Sequence, residues 1–435
     1  MFTKKTIKDI DLRGKRVLLR ADYNVPIDDK GNITDDYRIK QSLPTIKYIL
    51  DQDARLVICS HLGRPTSAND TKCSLFPVAK RLKELLGQEV EFVPDCIGER
   101  AEKAVSNLQP KGVVLLENLR FHPGEEKNDA GFAVNLAKLA DIFVQDGFGV
   151  VHRAHASTDA ITHDLPSVAG FLLEKEVDVI TDIMHNPKRP LMAVIGGSKV
   201  ADKVEMLYRF IEIADFVVVG GAMANVFLLV EDISVGASLA DTKEISIARD
   251  VIEKARNKAQ EKQFIFYVPQ DGVVASKIDS SLPTRIVSWN EHVISDIQSY
   301  PKRPPHSDSQ VRKDEMVLDI GPFSGAFIVG GMQLANTIVW NGTMGVTETT
   351  GLQGPIGPYA HGTELVIEAM TGQFGHRPFS FVGGGDTVGY IEKRKMVDMF
   401  NHVSTGGGAS LELMIGHKLP GVEALLDKEV QGSHE

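Results

Sequence analysis

The sequence has few cysteines, no long apolar run and no excess of positive charge, and each absence excludes a class of protein. Three cysteines in 435 residues are too few for a disulfide scaffold and show no metal-ligand spacing, so we expect a cytoplasmic location. The longest apolar stretch, 216–230, is interrupted by glycines and is shorter than the roughly 20 residues of a membrane span. A net charge of -10 disfavours nucleic acid and anionic membranes as partners.

Targeting and common nucleotide-binding signatures are also missing. The stretch MFTKKTIKDIDLRGK at the start lacks the apolar core that a signal peptide needs. No glycine-rich loop fits G-x-x-x-x-G-K-[ST] or G-x-G-x-x-G, which excludes the P-loop and the dinucleotide fingerprint. With 43% hydrophobic and 24% charged residues, the chain has the composition of a globular protein, and its length predicts two or three domains.

Short β-branched runs alternate with helical patterns along the chain, which predicts parallel sheets covered by helices on both faces. The segments predicted as strands are 15–20, 55–60, 112–118, 141–146, 191–196, 215–220, 264–269, 337–342 and 379–384. Nine strands are many for one sheet. An amphipathic pattern from about Gly170 to Met184 predicts a helix that connects two α/β domains, and the Pro-rich segment 300–312 is predicted to be an exposed loop.

Basic and polar residues follow the predicted strands of the first half. Any one of them alone is best explained as a solvated loop residue, but they recur after successive strands, whose carboxyl ends share one edge of a sheet. Arginine suits bidentate binding of phosphate or carboxylate, so we expect a small, multiply charged anionic ligand here. The residues are Arg20, Asp22, Asn24, Arg38, His61, Arg64, Asn118, Arg120, His122, Asp146, His152, Arg153 and His155.

The second half carries glycine-rich loops after its strands instead, with almost no arginine. Glycines let backbone N–H groups approach phosphate closely, and a following helix N-terminus adds its positive dipole. A single glycine pair is usually only a turn, whereas five such loops predict a mononucleotide bound mostly by backbone. The loops are 195–203, 219–225, 340–348, 382–387 and 404–412.

Two lysines and an aspartate add charge to these loops. If a helix starts near Ser198, Lys199 and Lys203 lie on one face and can bind phosphate, although paired lysines often form only a solvated helix face. Asp386 follows three glycines, which make either a tight strand-to-helix turn or a phosphate cradle. Magnesium takes one or two carboxylates plus substrate phosphates, so Asp386 is predicted to bind Mg²⁺, and Thr387 to cap the helix or donate to phosphate.

One domain for a small anion and one for a nucleotide together predict phosphoryl transfer. That chemistry needs positioning, charge neutralisation and exclusion of water. Two domains that close on their substrates supply all three.

The sequence resembles the phosphoglycerate kinase family over nearly the whole chain. The motifs that carry the resemblance are RADYNVP, ITDDYRI, SHLGRP, LLENLRFHPGEE, HRAHAS, GGSKVADK, WNGTMGVTE, GGGDT and HVSTGGGASLE. The resemblance implies a transferase of glycolysis and gluconeogenesis that moves a phosphoryl group reversibly between ATP and the carboxylate of 3-phosphoglycerate, giving ADP and 1,3-bisphosphoglycerate. It also implies Mg²⁺ as cofactor and a cytoplasmic monomer.

The resemblance implies a fold of two doubly wound parallel-sheet, Rossmann-like domains joined by an interdomain helix. On this basis the phosphoglycerate-binding domain is 1–169, the connecting helix and hinge 170–186, and the nucleotide-binding domain 187–418. The final segment, 419–435, is expected to return to the first domain.

Roles for individual residues come from the same resemblance. The residues expected to bind 3-phosphoglycerate are Asp22, Asn24, Arg38, His61, Arg64, Arg120 and Arg153. Those expected to act on the phosphoryl group in flight are Arg38, Lys199, Lys203, Gly384 and Gly385. Those expected at the nucleotide are Gly197, Ser198, Lys203, Gly221, Ala222, Asn341, Glu348, Gly383, Gly384, Gly385, Asp386 and Thr387, with Asp386 as the Mg²⁺ ligand.

Several positions depart from the family pattern. They are Gly147, Ser198, Ala222, Thr343 and Thr347, which stand for Ala, Ala, Gly, Pro and Phe, together with a Gly/Pro-rich insertion at about 349–358. These departures bear on nucleotide affinity and selectivity. The alternatives are a related phosphotransferase with an altered nucleotide donor and a non-catalytic family member.

Overall fold

The structure is a computed structural model that describes residues 2–67, 70–289, 310–352 and 354–428, and the chain divides into two compact units. The first unit contains the residues up to Asp182 together with those from Thr405 on, and the second runs from Ile183 to Ser404. The second unit is thus inserted into the sequence of the first. The domain boundaries expected from the sequence stay predictions.

The first unit is built on a six-stranded sheet in which every pair of neighbours is parallel. Its strands are β1 (Arg16–Arg20), β2 (Arg55–Cys59), β3 (Val90–Val93), β4 (Val113–Leu116), β5 (Ile142–Gln145) and β6 (Ser167–Ala169). Their order is β3-β4-β2-β1-β5-β6, so the winding direction reverses between β1 and β5. Ligands of open α/β sheets bind beyond the strand ends at such a reversal.

Helices cover both faces of this sheet because successive strand residues point to opposite sides. Val17 and Leu19 join one buried cluster, whereas Leu18 joins another. The helices are α1 (Tyr37–Asp51), α2 (Phe76–Leu86), α3 (Glu99–Asn107), α4 (Ala130–Ala137), α5 (Phe171–His185), which extends past the unit boundary, and, after the second unit in the chain, α12 (Gly408–Met414) and α13 (Pro420–Glu423). The helix predicted from Gly170 to Met184 is confirmed as α5.

The two ends of the described chain meet in the first unit. The amide of Lys5 donates to the carbonyl of Leu426 at 2.7 Å, and the amide of Lys428 donates to the carbonyl of Thr3 at 2.9 Å. Lys4 also forms an ion pair with Asp427 at 2.7 Å. These contacts tie the C-terminal segment to the unit that the N-terminus begins; residues 429–435 of the predicted returning segment lie outside the described residues.

The second unit repeats the doubly wound plan with its own six parallel strands. They are β7 (Leu191–Ile195), β8 (Phe216–Val219), β9 (Ile265–Tyr267), β13 (Thr337–Asn341), β14 (Phe379–Gly383) and β15 (His402–Val403). The order β15-β14-β13-β7-β8-β9 reverses between β7 and β13. The helices are α6 (Val204–Ile213), α7 (Ala224–Val230), α8 (Ile245–Glu261), α9 (Pro322–Leu334), α10 (His361–Met370) and α11 (Gly385–Lys393).

A three-stranded antiparallel sheet in the second unit was not predicted. It consists of β10 (Asp271–Ala275), β11 (Arg285–Ser288) and β12 (Met316–Ile320) in the order β11-β10-β12. Polar residues interrupt all three segments, and the pairing of β10 with β12 shifts register between Val273 and Val274. A search for continuous apolar runs therefore passes over them.

The predicted fold class is confirmed, and all nine predicted strands are present. The other strands missed in the two parallel sheets are β3, β6 and β15, which have four residues or fewer. The predicted loop at 300–312 falls almost wholly outside the described residues, which resume at Gln310. Within the described ranges, no helix is long and apolar enough to cross a membrane.

Candidate active site

In the first unit, four of the predicted side chains meet just beyond the end of β1. The guanidinium of Arg38 lies 3.2 Å from the carboxylate of Asp22 and donates to the carbonyl of Asn24 at 3.1 Å. His61 Nδ1 lies 3.9 Å from the other Asp22 oxygen. The Asn24 side chain accepts from the amide of Gly63 at 2.9 Å. The loops after β1 and β2 are thereby held against the start of α1, which carries Arg38.

Asp22 is the charged centre of this group. Burial by itself would raise the pKa of its carboxyl, but the Arg38 guanidinium, together with Arg20, outweighs that effect and holds the pKa below its ordinary value. Burial also keeps the pKa of His61 well below its usual range, so this imidazole is neutral near pH 7. An ionised Asp22 can therefore fix the direction of the Arg38 guanidinium.

A buried network behind these residues joins Arg20, one of the basic residues expected near the anion, to Ser157 and Glu125, which were not among the predicted residues. Arg20 is 1% exposed, and its Nε donates to the hydroxyl of Ser157 at 2.8 Å. Ser157 in turn donates to Glu125 at 2.6 Å. Arg20 also lies 3.3 Å from the ring of His61. The sequence shows Arg20 after a strand and Glu125 in HPGEE, but it cannot show that both are buried together.

Arg120 and Arg153 add positive charge to the same region. Arg120 donates to the carbonyl of Gly63 at 2.7 Å and lies 3.1 Å from Glu126. Burial lowers its pKa, and the charges of Arg20 and Arg153 lower it further. Arg153 is exposed and donates to the ring of His152 at 3.1 Å.

His155 lies in the same region, where burial and the neighbouring guanidiniums both disfavour its charged form. Burial, followed by the charges of Arg20 and Arg120, lowers its pKa to about 4. Arg64, the remaining predicted ligand, is exposed in the segment after Gly63, outside the group around Asp22. The first unit thus gathers at least four guanidiniums near one sheet edge.

In the second unit, three glycine-rich loops converge at the reversal between β7 and β13. The amide of Gly196 donates to the carbonyl of Asn341 at 2.9 Å, and a Cβ on Gly196 would lie 2.1 Å from the carbonyl oxygen of Thr343. Gly221 has φ +64, and a Cβ there would lie 2.8 Å from the backbone of Gly197. Backbone packs directly on backbone here, so the close packing alone requires glycine at both positions, whether or not a ligand binds.

A cavity of about 400 Å³ opens beside these loops. Its lining includes six of the residues predicted to bind the nucleotide: Gly197, Ser198, Gly221, Ala222, Glu348 and Asp386. The volume lies in the usual range for a small-molecule site. Thr343, one of the departures from the family pattern, also lines it, whereas Thr347 is buried and lies outside the lining.

Lys203, Asn341 and Thr387 form a connected group at the same strand ends. The ammonium of Lys203 donates to the side-chain oxygen of Asn341 at 2.5 Å, and the hydroxyl of Thr387 accepts from the amide of Gly342 at 2.7 Å. Thr387 is buried and does not cap α11. Burial lowers the pKa of Lys203, while Asp202 and Asp386 oppose that effect.

The condition under which Lys199 and Lys203 would share a helix face, a helix start near Ser198, is not met. The α-helix begins only at Val204, after a short 3₁₀ turn over Ala201–Lys203. Lys199 lies before that turn and is exposed, whereas Lys203 is partly buried against Asn341. The two ammonium groups therefore sit in different environments and need not act alike.

The three glycines at 383–385 serve two different purposes. Gly383 ends β14, and Gly384 precedes α11 with φ +89, where a Cβ would lie 3.0 Å from Asn341. Gly384 is thus required by a tight strand-to-helix turn. A Cβ on Gly385 would meet no atom within 4 Å, so the fold does not explain this glycine. The open space at Gly385 leaves the helix N-terminus accessible to an anion.

Asp386 fits the donor chemistry of a magnesium ion. Its carboxylate lies in the first turn of α11, is exposed, and lines the cavity. Among the described residues, the one group of three close metal-ligating side chains is Asp95, Cys96 and His122 in the first unit. A magnesium ion at Asp386 would therefore take most of its ligands from phosphate and water, as Mg²⁺ commonly does.

Comparison with known proteins gives one family. The family model for phosphoglycerate kinase matches residues 7–417. Phosphoglycerate kinase of Pelotomaculum thermopropionicum is 44% identical over 427 residues, covering 98% of this chain and 100% of that protein. That of Moorella thermoacetica is 43% identical over 427 residues, with the same coverage.

Solved structures agree with these relatives. Phosphoglycerate kinase from Coxiella burnetii is similar with a TM-score of 0.78 at 33% identity, covering 97% of this chain and 98% of that one. The structure from Pyrococcus horikoshii gives a TM-score of 0.79 at 30% identity, covering 98% of each chain.

Proposed function

The chain belongs to the phosphoglycerate kinase family, an enzyme family that transfers a phosphoryl group reversibly between ATP and 3-phosphoglycerate, and from this we propose how its own residues perform the reaction. The observation that carries the proposal is the contrast in chemistry between the two units. One gathers guanidiniums around Asp22 and Arg38, and the other gathers glycine loops and Asp386 around a cavity.

We propose that 3-phosphoglycerate binds at the carboxyl edge of the first sheet. Arg38, Arg120 and Arg153 supply charge for its phosphate and carboxylate, and Arg64 is exposed and able to join them. Asp22 and Asn24 hold Arg38 and offer acceptors to the substrate hydroxyl. Neutral His61, buried beside Asp22, donates a hydrogen bond without adding charge. The buried Arg20–Ser157–Glu125 network positions this group from behind.

We propose that the nucleotide occupies the cavity of the second unit. Gly197, Ser198, Gly221 and Ala222 line it and would contact the ligand through their backbone. Glu348, which also lines it, would accept from ribose hydroxyls. The phosphates extend toward the N-terminus of α11, where Gly384 and Gly385 present amide groups. Lys203, held by Asn341, and Thr387, held by Gly342, complete the phosphate end together with Gly383.

The phosphoryl transfer requires no covalent intermediate on the protein and no general base. The acceptor is a carboxylate, which is already ionised at neutral pH. The protein's task is to align donor and acceptor and to neutralise charge on the phosphoryl group in flight. Arg38 and the exposed ammonium of Lys199 do this, assisted by the amides at Gly384 and Gly385. The three cysteines are free and have no part in the mechanism.

We propose Asp386 as the protein ligand of Mg²⁺. When bound, the ion would neutralise charge on the nucleotide phosphates. The chain's own contribution is to hold a carboxylate beside the cavity, at the start of a helix whose amides favour phosphate.

Direct transfer requires the two ligands to meet, so we propose that the units close on their substrates. We further propose that the enzyme acts as a monomer in the cytoplasm, because the family resemblance implies both and three free cysteines suit a reducing compartment. Sedimentation of the purified protein tests the monomer; a mass of two chains would contradict it.

The alternatives raised by the sequence are not favoured. A non-catalytic member has no need of Arg38, Lys199, Lys203 and Asp386 together, and all four are present. An altered donor rests on Ala222, Thr343, Thr347 and the insertion at about 349–358. Of the three named residues, Ala222 and Thr343 line the cavity and Thr347 does not. Comparison of ATP, GTP and pyrophosphate as donors measures what these departures do.

A coupled assay tests the proposal. Purified protein, Mg·ATP and 3-phosphoglycerate are combined, and 1,3-bisphosphoglycerate is followed by its reduction with NADH. We expect robust turnover that Asp386→Ala abolishes. Asp398→Ala, which changes an aspartate in the same unit outside the cavity lining, is the control. Folded protein without turnover, or an Asp386→Ala variant as active as the parent, would contradict the proposal.

A further inference from the structure

The nucleotide cavity has a second wall that the sequence did not predict. One wall consists of strand-end loops of the parallel sheet, including Gly197 and Asp386. The other comes from the antiparallel sheet and the segments around it, including Pro269, Trp289 and Met316. Glycine loops and charge occupy the first wall, whereas the second offers mainly apolar side chains.

Trp289 is the one aromatic side chain among the described residues that line this cavity. It directly follows β11 and is half-buried, with part of the indole packed on Val274, Val287 and Val311. The other tryptophan of the chain, Trp340, is 0% exposed and lies within β13. Of the two tryptophans, Trp289 alone therefore reaches the cavity.

The indole of Trp289 is held at both ends. Its Nε1 donates to the carbonyl of Pro269 at 3.0 Å. Its six-membered ring lies over Gly272, where a Cβ would come within 2.8 Å of the ring carbon Cη2. A ring fixed in this way loses little freedom when a ligand packs on it, which favours binding.

We propose that Trp289 contacts the base of the nucleotide and is a principal determinant of nucleotide affinity in this chain; the inference rests on the proposed function of the cavity. A nucleotide has a polyanionic part, which suits glycine loops, and a flat heterocycle, which suits an aromatic surface. Trp289 supplies that surface in the part of the lining that the antiparallel sheet and its flanking segments contribute. Stacking does not read the edges of a base, so Trp289 serves adenine and guanine alike.

Kinetics of Trp289→Ala test the proposal. The contact is remote from the transferred phosphoryl group, so we expect KM for ATP to rise on the order of tenfold with kcat little changed. KM for GTP should rise by the same factor, and Trp289→Phe should restore most of the affinity. Phe374→Ala, which removes an exposed aromatic of the same unit outside the cavity lining, should leave both constants unchanged.

Fluorescence of the unaltered protein gives a second readout that does not depend on the folding of a variant. Acrylamide quenches exposed indoles, and Trp340 is fully buried, so quenching reports on Trp289. Mg·ADP should protect this fluorescence from quenching.

Undiminished quenching at saturating Mg·ADP, or an unchanged KM in folded Trp289→Ala, would overturn the inference while the coupled assay still showed kinase activity. If the unaltered, folded protein showed no turnover in the coupled assay, that result would instead overturn the proposed function and with it this inference.

Discussion

The two units use the same doubly wound plan but place different chemical groups at the strand ends where phosphate is proposed to bind. The first places side-chain charge at its sheet edge, with Arg38 fixed by Asp22. The second places backbone there, with Gly196 and Gly221 so close to neighbouring loops that no side chain would fit. Both sites lie where the strand order reverses, between β1 and β5 and between β7 and β13.

This difference suits the two ligands expected. A small substrate with two anionic groups gains selectivity from guanidiniums in fixed directions. A nucleotide is larger and carries its charge along a chain, which backbone amides at a helix N-terminus can follow. The contrast predicts that the first site is sensitive to loss of charge, and the second to the addition of a single methyl group.

Removal of charge from the first unit should have the largest effect. Arg38→Ala is expected to lower kcat by about 10²–10³, or about 3–4 kcal/mol of transition-state stabilisation, because the guanidinium is preorganised by Asp22. Steady-state kinetics in the coupled assay measures it. Arg38→Lys should recover only part of the loss, since a lysine has no bidentate fork. Arg13→Ala, an exposed arginine paired with Asp11, is the control, and near-normal turnover of Arg38→Ala would remove Arg38 from the reaction.

The second-largest loss of activity is expected from substitution of a lysine in the second unit. Lys199→Ala is expected to lower kcat on the order of tenfold to a hundredfold, with a smaller change in KM for 3-phosphoglycerate, because its contact strengthens in the transition state. Lys243→Ala, another exposed lysine of this unit, should be neutral. A change confined to KM would assign Lys199 to ground-state binding alone.

Addition of a methyl group tests the backbone site directly. Gly385→Ala should raise KM for ATP about tenfold without loss of stability, because the fold leaves open space there while a phosphate would not fit beside the methyl. Gly389→Ala, also in open space on α11, should change neither. Gly384→Ala should instead lower the free energy of unfolding by about 1–2 kcal/mol, since φ is +89. Unchanged KM in Gly385→Ala would mean that phosphate does not approach this residue.

The last prediction concerns stability rather than catalysis, and it is a pH dependence that both units share. Burial raises the pKa of Asp146 to about 7 and that of Asp319 to about 8, despite hydrogen bonds that oppose it. The folded state therefore holds protons that the unfolded chain releases above its ordinary pKa of about 4, so stability falls as pH rises toward 7. Each group contributes at most about 1.4 kcal/mol per pH unit.

Urea unfolding of two variants at pH 5 and 7 separates these contributions. Asp146→Asn should flatten the pH dependence of the first unit, and Asp319→Asn that of the second. A pH dependence identical to that of the parent in both variants would contradict the assignment.

The parallel framework could be predicted because buried strands such as VVLL at 113–116 are apolar throughout. The antiparallel sheet could not, because half-exposed strands such as RIVS at 285–288 mix polar and apolar residues over only four positions. Trp289, which follows that strand, was missed for the same reason. Its place beside the cavity depends on long-range pairing of β10 with β11 and β12.

The site was predictable in composition but not in its internal contacts. Arg38 and Asp386 stand out after strands, but the sequence cannot show that Arg38 rests on Asp22 while Lys203 rests on Asn341. The sequence did not fix where the helix after β7 begins: a start near Ser198 was the condition for Lys199 and Lys203 to share a face, and the helix begins at Val204. Gly384 and Gly385 look alike in the sequence. Only their surroundings show that the turn requires Gly384, whereas Gly385 faces open space.

The meeting of the chain ends in the first unit has a consequence for synthesis. The ammonium of Lys4 donates to the carbonyl of Glu423, 419 residues later in the chain. A ribosome adds about 5–20 residues per second, so this contact can form only roughly 20–80 s after Lys4 is synthesised. The second unit is continuous and is synthesised whole in that interval. The first unit is therefore begun before the second and completed after it. A truncation that removes the residues after Ser404 affects the unit proposed to bind 3-phosphoglycerate and leaves the second unit whole.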